Sequence, residues 1–229
     1  MTSARPDRSL LIALAVLGAA ALAVLGLLAG AALTRSATPA AVPDDASVDA
    51  GFARDMQVHH GQAVEMSVLV RDRSDDPDVR GLALDILLTQ QNQQGQMAGW
   101  LQTWGLGQSS AQPIMGWMST FGEGMDGMDM GEETTQPVPT PENPMTTMGL
   151  ATDVEMDALA AADSVTAERI YLQLMTDHHL GGVEMASAAA AAATQPQVRR
   201  LAEAMVAGQT AELALLEELL DARGGPVDL

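Results

Sequence analysis

The chain has 229 residues, a formal net charge of −19, no cysteine and no lysine. Such an acidic chain lacks the basic face that nucleic-acid binding requires, so no nucleic-acid partner is expected. Without cysteine and lysine, disulfides, thiolate ligands, iron–sulfur clusters and Schiff-base lysines are excluded. Only 3% of the residues are aromatic while 15 are methionine, a composition that favours α-helices over a β-sandwich or barrel.

Residues 10–33 form an uninterrupted apolar segment of 24 residues near the N-terminus. A helix needs about 20 such residues to cross a bilayer, and Arg5 and Arg8 before it favour a cytoplasmic N-terminus. We therefore expect residues 1–35 to be a cytoplasmic stub and a single-pass membrane anchor, followed by a linker at residues 36–48. The alternative is a cleaved signal peptide, whose apolar region is usually shorter, and the protein is then secreted. Both interpretations place the rest of the chain on the extracytoplasmic side.

The rest of the chain contains an internal repeat with an offset of 119 residues. Residues 52–105 align on residues 171–224 without a gap, and 14 of the aligned positions are identical. Such a duplication sets the architecture, because each copy is expected to fold into the same unit.

Each copy has the pattern of a helical hairpin. Pro77 and Pro196 suit the first turn of a second helix, and Gly105 and Gly224 suit its C-terminal cap. The pattern predicts four long helices, at residues 49–73, 77–104, 163–193 and 196–223. Two hairpins supply the four helices of a bundle, so we predict an all-α domain. The predicted domain spans residues 49–224, as repeat one (49–105), a crossover (106–150) and repeat two (151–224).

The crossover is rich in Gly, Pro, Ser, Thr and Met and has no basic residue. We expect a loop or a disordered segment there. After it, Thr152 and Glu155 have the spacing of a capping box, which predicts a short helix up to about Ala162.

All four histidines of the chain lie in two pairs at equivalent repeat positions. The strings are MQVHHGQAVEM at residues 56–66 and MTDHHLGGVEM at residues 175–185. With 100° of rotation per residue, the first histidine of each pair shares one helix face with the methionines, and the second histidine flanks that face. Each first helix thus presents two imidazoles and two thioethers toward the bundle core.

Thioether and imidazole donors without thiolate favour copper, above all Cu(I). The Glu-x-x-His pattern of di-iron bundles and the His-Glu-x-x-His pattern of zinc proteases are both absent. The candidate metal ligands are Met56, His59, His60, Met66, Met175, His178, His179 and Met185. Gln90 and Gln209 lie at about the level of the imidazoles and are expected to orient them. Glu65 and Glu184 are candidates for an outer place around the site, but they point away from the histidines on their own helices and would need another helix or another protomer to join it. A salt bridge or hydrogen bond with an arginine is the favoured role.

Each of these motifs has a second interpretation. A methionine stripe at helical spacing is often core packing, and the histidine pairs could form a buried polar network or a pH-sensitive contact. In the crossover, Met125, Met128 and Met130 form a Met-x-x-Met-x-Met string that would capture copper weakly or be part of a flexible polar loop.

The string Met-x-x-His-His-x-x-x-x-Glu-Met occurs twice, each time before a proline-started helix that contains a glutamine. This pattern resembles the DUF305 family over about residues 49–224. The resemblance implies a ferritin-like four-helix bundle, export from the cytoplasm and, as in some members, copper binding through Met and His. The histidine-rich stretches of some copper-binding relatives are missing from this crossover, which favours Cu(I) over high-capacity Cu(II) binding.

The sequence therefore predicts a membrane-anchored, extracytoplasmic copper-binding bundle for metal homeostasis or tolerance. We expect no enzymatic activity, because no nucleophile–base pair, phosphate loop or pair of catalytic carboxylates is evident. The alternatives are a structural or interaction bundle with buried histidine pairs and, less favoured, a redox enzyme with a metal in the bundle. The expected partners are a metal ion and, through residues 10–33, a membrane; whether the chain forms a homo-oligomer is left open.

Overall fold

The computed structural model describes residues 21–27, 41–121 and 144–229. The chain divides into two compact units, Met1–Ala41 and Val42–Leu229. In the first unit residues 21–27 are helical; the rest of the predicted anchor lies outside the described residues. Among the described residues, no helix combines the length and the apolar character needed to span a membrane.

The second unit is all-helical, and none of its described residues forms a β-strand. The elements are α1 Val48–Arg71, α2 Pro77–Thr103, a 3₁₀ helix Gly116–Phe121, α3 Pro144–Thr147, α4 Asp153–Ala161, α5 Ser164–Ala192 and α6 Pro196–Asp221. The prediction of four long helices in two hairpins is confirmed, with each end within two residues of its expected place.

Local chemistry explains where the helices begin and end. Asp76 accepts hydrogen bonds from the first backbone amides of α2, and Pro77 occupies the first turn, where a missing N–H costs little. Gly105 and Gly224, which follow α2 and α6, have φ values of +73° and +95°, a left-handed conformation that favours glycine. The capping box before α4 is formed, because Thr152 and Glu155 each accept a hydrogen bond from the other's backbone amide.

The two hairpins pack together along their first helices, α1 and α5, which run antiparallel. Two apolar clusters result, one on each side of the crossing. The Met56 cluster contains Met56, Met185, Phe52, Leu101, Met97 and Met205, among others. The Met66 cluster contains Met66, Met175, Ile86, Tyr171, Leu172 and Leu216, among others. Each cluster takes one methionine from each repeat, as expected for a pseudo-twofold axis between the copies.

Two buried acids link each hairpin to the turn of the other. Asp49 of α1 accepts hydrogen bonds from the backbone amides of Thr194 and Gln195, which lead into α6. Its repeat equivalent, Glu168 of α5, accepts a hydrogen bond of 2.6 Å from the Ser74 hydroxyl, in the turn before α2. Because the two contacts are related by the pseudo-twofold axis, the hairpins are held together at both ends of the α1–α5 interface.

The crossover differs from the predicted loop at both of its ends. At its start, Met115 and Trp117 are buried, and the Asp55 carboxylate accepts hydrogen bonds of 2.8 Å from the Met115 amide and the Trp117 indole. At its end, Met148 and Leu150 are buried. Tertiary contacts thus order both ends, whereas residues 122–143, with Met125, Met128 and Met130, lie outside the described residues.

Candidate metal site

The four imidazoles meet where α1 crosses α5, and none of them is exposed to solvent. The ring centroids of His59 and His178 are 3.6 Å apart, with the planes tilted by 33°. His60 and His179 flank this central pair, with centroids 5.9 Å and 6.2 Å from those of their neighbours in sequence. The structure thus brings the two predicted pairs into one layer, the imidazole layer, between the Met56 and Met66 clusters.

The central rings fasten the two first helices to each other through Nε2. The His178 Nε2–H donates to the carbonyl of His59 at 2.8 Å. In return, the His59 Nε2–H is shared between the carbonyls of His178, at 3.0 Å, and Met148, at 3.1 Å. A carbonyl oxygen can only accept, so both rings carry their proton on Nε2.

The flanking rings use Nε2 toward the second helices. His60 donates to the Gln93 side-chain oxygen at 2.7 Å, and His179 donates to the Glu212 carboxylate at 2.6 Å. Gln93 and Glu212 occupy equivalent repeat positions, 119 residues apart. The hydrogen-bonding scheme is therefore the same in both repeats, although the acceptor is a neutral amide in one and a carboxylate in the other.

The second nitrogen of every ring, Nδ1, is buried and has no hydrogen-bond partner. Burial, with a smaller contribution from the neighbouring His60, lowers the pKa of His59 to about 3. Burial also lowers the pKa of His60 to about 3 and that of His178 well below its usual value. In His59, His60 and His178, neutral and protonated on Nε2, Nδ1 bears a free lone pair, which is the form of imidazole that binds metals.

The predicted thioether donors lie on both sides of the imidazole layer, fully buried. Met56 and Met185 belong to the Met56 cluster, and Met66 and Met175 belong to the Met66 cluster. Each side of the layer therefore has one candidate sulfur from each repeat. This distribution fits core packing and also fits a donor set that surrounds the imidazoles.

The amides predicted to orient the rings are close to the layer but do not hold them. Both polar atoms of the Gln90 side chain lack a hydrogen-bond partner, and so does the Gln209 oxygen. That role falls to Gln93 and Glu212, one helical turn further along. The repeat could have indicated these two residues, because Gln93 and Glu212 are both polar and lie 119 residues apart, at equivalent positions of the two copies.

Glu65 and Glu184 are exposed and face away from the site. Neither forms a salt bridge with an arginine in the part of the chain that the structure describes. Among the residues that the structure describes, the predicted pairing with arginine is therefore not formed.

Two glycines of α5 permit a close approach at the layer. A Cβ atom at Gly181 would clash with the Met148 carbonyl oxygen, and one at Gly182 would clash with the Gln209 side-chain oxygen and lie 2.9 Å from the His59 ring. Because of these glycines, the segment around Met148 packs directly on α5, and the Met148 carbonyl lies within hydrogen-bond distance of His59. No local sequence signal indicates this contact, because Met148 belongs to the crossover.

The donors present suit a soft ion better than a hard one. No three His, Asp or Glu side chains converge on one point in metal-binding geometry within the described residues. A site in this layer would therefore combine imidazole Nδ1 atoms with thioethers, a set that Cu(I) accepts and that Mg²⁺ or Ca²⁺ does not. The unpartnered Nδ1 atoms fit such an ion, because coordination would satisfy them.

Fold and site together define a class of protein: a duplicated four-helix bundle with a buried imidazole layer between methionines. The chain belongs to the DUF305 family, whose model, described as a domain of unknown function, matches residues 49–220. The resemblance noted from the histidine motifs is thus confirmed.

Solved structures with the same fold include a DUF305 protein from Streptomyces coelicolor, 45% identical, which covers 81% of this chain and 99% of its own, with a TM-score of 0.68. A DUF305 fragment from Deinococcus radiodurans is 31% identical and covers 76% of this chain and 96% of its own, with a TM-score of 0.58. CopM in its Cu(I)-bound form is 23% identical and covers 77% of this chain and 98% of its own, with a TM-score of 0.53. CopM has also been solved with Cu(II) and with Ag. Among curated proteins, no match to the sequence was found.

Proposed function

We propose that this protein binds copper, as Cu(I), in metal homeostasis or tolerance. The observation that carries the proposal is the imidazole layer, in which four buried Nδ1 atoms without partners lie between two pairs of buried methionines. Unpartnered buried polar atoms are rare in folded proteins, because each costs free energy. A bound cation would remove this cost, because it would be coordinated by the Nδ1 atoms.

The candidate ligands are the imidazole Nδ1 atoms and the thioethers of the flanking methionines, with at most two imidazoles for one ion, since no three of them converge within the described residues. They are His59, His60, His178, His179, Met56, Met66, Met175 and Met185. The Nε2 hydrogen bonds fix the ring orientation and leave Nδ1 as the donor. CopM, which shares the fold, supports this choice of metal, since its structures hold Cu(I), Cu(II) and Ag.

We propose further that the bundle lies on the extracytoplasmic side, held by residues 10–33 as a membrane anchor. The basis is the unbroken apolar run of 24 residues after Arg5 and Arg8. Cell fractionation with protease added to intact spheroplasts tests this arrangement. Digestion of a membrane-bound bundle is expected, and a protected cytosolic bundle would contradict it.

The decisive experiment on the metal is a competition titration of Val42–Leu229 with Cu(I) and, separately, Ag(I) against a chromophoric chelator. Met56→Leu combined with Met185→Leu is expected to weaken binding at least tenfold, because two sulfur donors are lost while core volume is kept. The matched control is Met97→Leu with Met205→Leu, which changes two other methionines of the same cluster. Equal curves for both pairs would remove the thioethers from the site.

The histidines are tested in the same titration. His59→Ala with His178→Ala is expected to weaken Cu(I) binding more strongly than the loss of the methionines. Since these rings also join α1 to α5, circular dichroism must first show that the variant is folded. A folded variant with unchanged affinity would exclude the central imidazoles as ligands.

The crossover is a candidate for a second, weaker copper-binding segment through Met125, Met128 and Met130. Replacing all three by serine is expected to remove a weak binding phase and leave the tight one. If the tight phase disappears, the main site lies in the crossover and not in the imidazole layer.

A second candidate function is purely structural, and the reciprocal Nε2 bonds between His59 and His178 favour it. In that case the layer fixes the register of α1 against α5 and binds no ion. The two functions differ in thermal unfolding, because a ligand of the native state raises Tm by mass action. A Tm unchanged by excess Ag(I) would support the structural role.

A further inference from the structure

The two repeats differ in charge at one contact with the imidazole layer. Gln93 and Glu212 are superimposed by the repeat offset, and each accepts the Nε2–H of the nearest flanking imidazole at 2.7 Å and 2.6 Å. Among the hydrogen-bond partners of the four imidazoles in the described residues, Glu212 alone bears a charge. The layer therefore has one carboxylate where full symmetry would give either none or two.

That charge acts on a buried region. His179 is fully buried and the Glu212 side chain is 27% exposed, so water screens the pair only on one side. The field of Glu212 reaches further, because the pKa of the buried Tyr171 is raised mainly by burial and additionally by this carboxylate. A cation in the layer would feel the same field and be stabilised by it.

A buried ion is costly unless its charge is compensated. One carboxylate compensates the single charge of Cu(I) or Ag(I), but leaves one positive charge uncompensated when Cu(II) is bound. A carboxylate that accepts the Nε2–H also makes the opposite nitrogen a stronger ligand, whereas an amide does so much less.

We propose that the pair Gln93 and Glu212 determines the valence of the bound ion. Glu212 is a positioning residue that holds His179 and supplies one negative charge, which compensates a monovalent cation. Gln93 is neutral, so the layer lacks the second negative charge that would compensate a divalent cation. This inference rests on the proposed function of the layer and specifies its selectivity.

The test exchanges these side chains with near-isosteric replacements that keep an oxygen acceptor for each imidazole. The full chain is titrated with Cu(I), Ag(I) and Cu(II) in separate competition experiments. Glu212→Gln is expected to weaken Cu(I) and Ag(I) binding about tenfold, the lower end of the effect of such outer partners. Gln93→Glu is expected to strengthen Cu(II) binding about tenfold more than Cu(I) binding.

The matched control is the double exchange, Gln93→Glu with Glu212→Gln. It moves the carboxylate to the other repeat and is expected to restore the wild-type ratio of Cu(I) to Cu(II) affinity, because the layer again contains one charge. Loss of the Glu212 carboxylate costs a divalent ion more than a monovalent one, so Glu212→Gln should shift the ratio toward Cu(I), whereas Gln93→Glu should shift it toward Cu(II). A merely structural role for Glu212 would change stability and leave the ratio unchanged.

Three outcomes would overturn the inference. If the wild type binds none of the three ions, the proposed function fails and the inference fails with it. If the wild type binds but Glu212→Gln changes Cu(I) affinity less than twofold, only the inference fails. The same holds if Gln93→Glu strengthens Cu(I) and Cu(II) binding equally.

Discussion

The imidazole layer and the apolar clusters beside it are built on the same four helices but differ in chemistry. The Met56 and Met66 clusters bury apolar side chains against one another. Among the described residues, the layer between them contains four buried Nδ1 atoms that lack hydrogen-bond partners, and Gln90 and Gln209 contribute three further such atoms. Since such atoms destabilise a folded protein while buried apolar area stabilises it, the clusters hold the bundle together and the layer lowers its stability in the metal-free state.

The largest expected effect is that of acid on the metal-free protein. The unfolded chain has histidines with pKa about 6.5, whereas burial lowers the pKa of His59 and His60 to about 3 and also lowers that of His178. Below pH 6.5 the unfolded state therefore binds more protons, and stability that is fully present above pH 6.5 is lost as the pH falls toward 3. With three such histidines the slope approaches about 4 kcal/mol per pH unit.

Urea unfolding at pH 7.5, 6 and 5 measures this dependence. His60→Gln should show a shallower slope than the wild type, since one titrating group is gone. A free energy of unfolding that stays constant between pH 7.5 and 5 would show that the imidazole layer does not carry the acid sensitivity.

The next effect in size belongs to the Met66 cluster. Leu172→Ala is expected to lower the free energy of unfolding by about 2–5 kcal/mol, because Leu172 is fully buried and its truncation leaves a cavity. Leu88, which is 55% exposed, provides the control, and Leu88→Ala should change stability by less than about 0.5 kcal/mol. If the folded Leu172→Ala protein binds Ag(I) less tightly, packing in the Met66 cluster also affects ion binding in the imidazole layer.

A smaller loss is expected from the buried acid that joins the hairpins. Asp49→Ala removes the acceptor for two backbone amides before α6 and should lower stability by about 1–3 kcal/mol in urea unfolding. Asp78→Ala, an exposed acid in the first turn of α2, should cost less than about 1 kcal/mol. Equal effects would mean that burial and the link between hairpins add nothing to the Asp49 contact.

The smallest effect is expected at the exposed glutamates of the repeated motif. Glu65→Gln and Glu184→Gln should change stability by less than about 0.5 kcal/mol and leave Ag(I) affinity unchanged, since both side chains are exposed and face away from the layer. Isothermal titration checks this against Glu212→Gln. Weaker binding in Glu65→Gln would bring this carboxylate into the site, for example through a second copy of the chain.

The helices were predictable because their signals are local. Three signals act within a few residues: proline in the first turn, glycine in the left-handed cap and the capping box at Thr152. The proline and glycine signals occur at equivalent positions in both repeats, which strengthens the prediction. The meeting of the two histidine pairs followed from the same repeat, because two equal hairpins pack about a twofold axis.

The partners of the imidazoles could not be predicted in the same way. Gln90 and Gln93 differ by one helical turn on α2, and only the rotation of that helix against α1 decides which of them reaches His60. Likewise, Trp117 binds Asp55 and the Met148 carbonyl binds His59 through tertiary hydrogen bonds. These bonds join residues that are 62 and 89 positions apart in the chain. Composition alone indicated a loop in both places.

The crosswise contacts of Asp49 and Glu168 give the interface between the hairpins a quasi-isologous character, because a buried acid from each hairpin binds the turn before the second helix of the other. An interface of this kind does not depend on whether its halves belong to one polypeptide. Two molecules that exchanged their second hairpins through the long crossover would form a domain-swapped dimer with two complete imidazole layers and no new contact. The duplicated bundle therefore has the geometry of a symmetric dimer whose subunits are joined covalently.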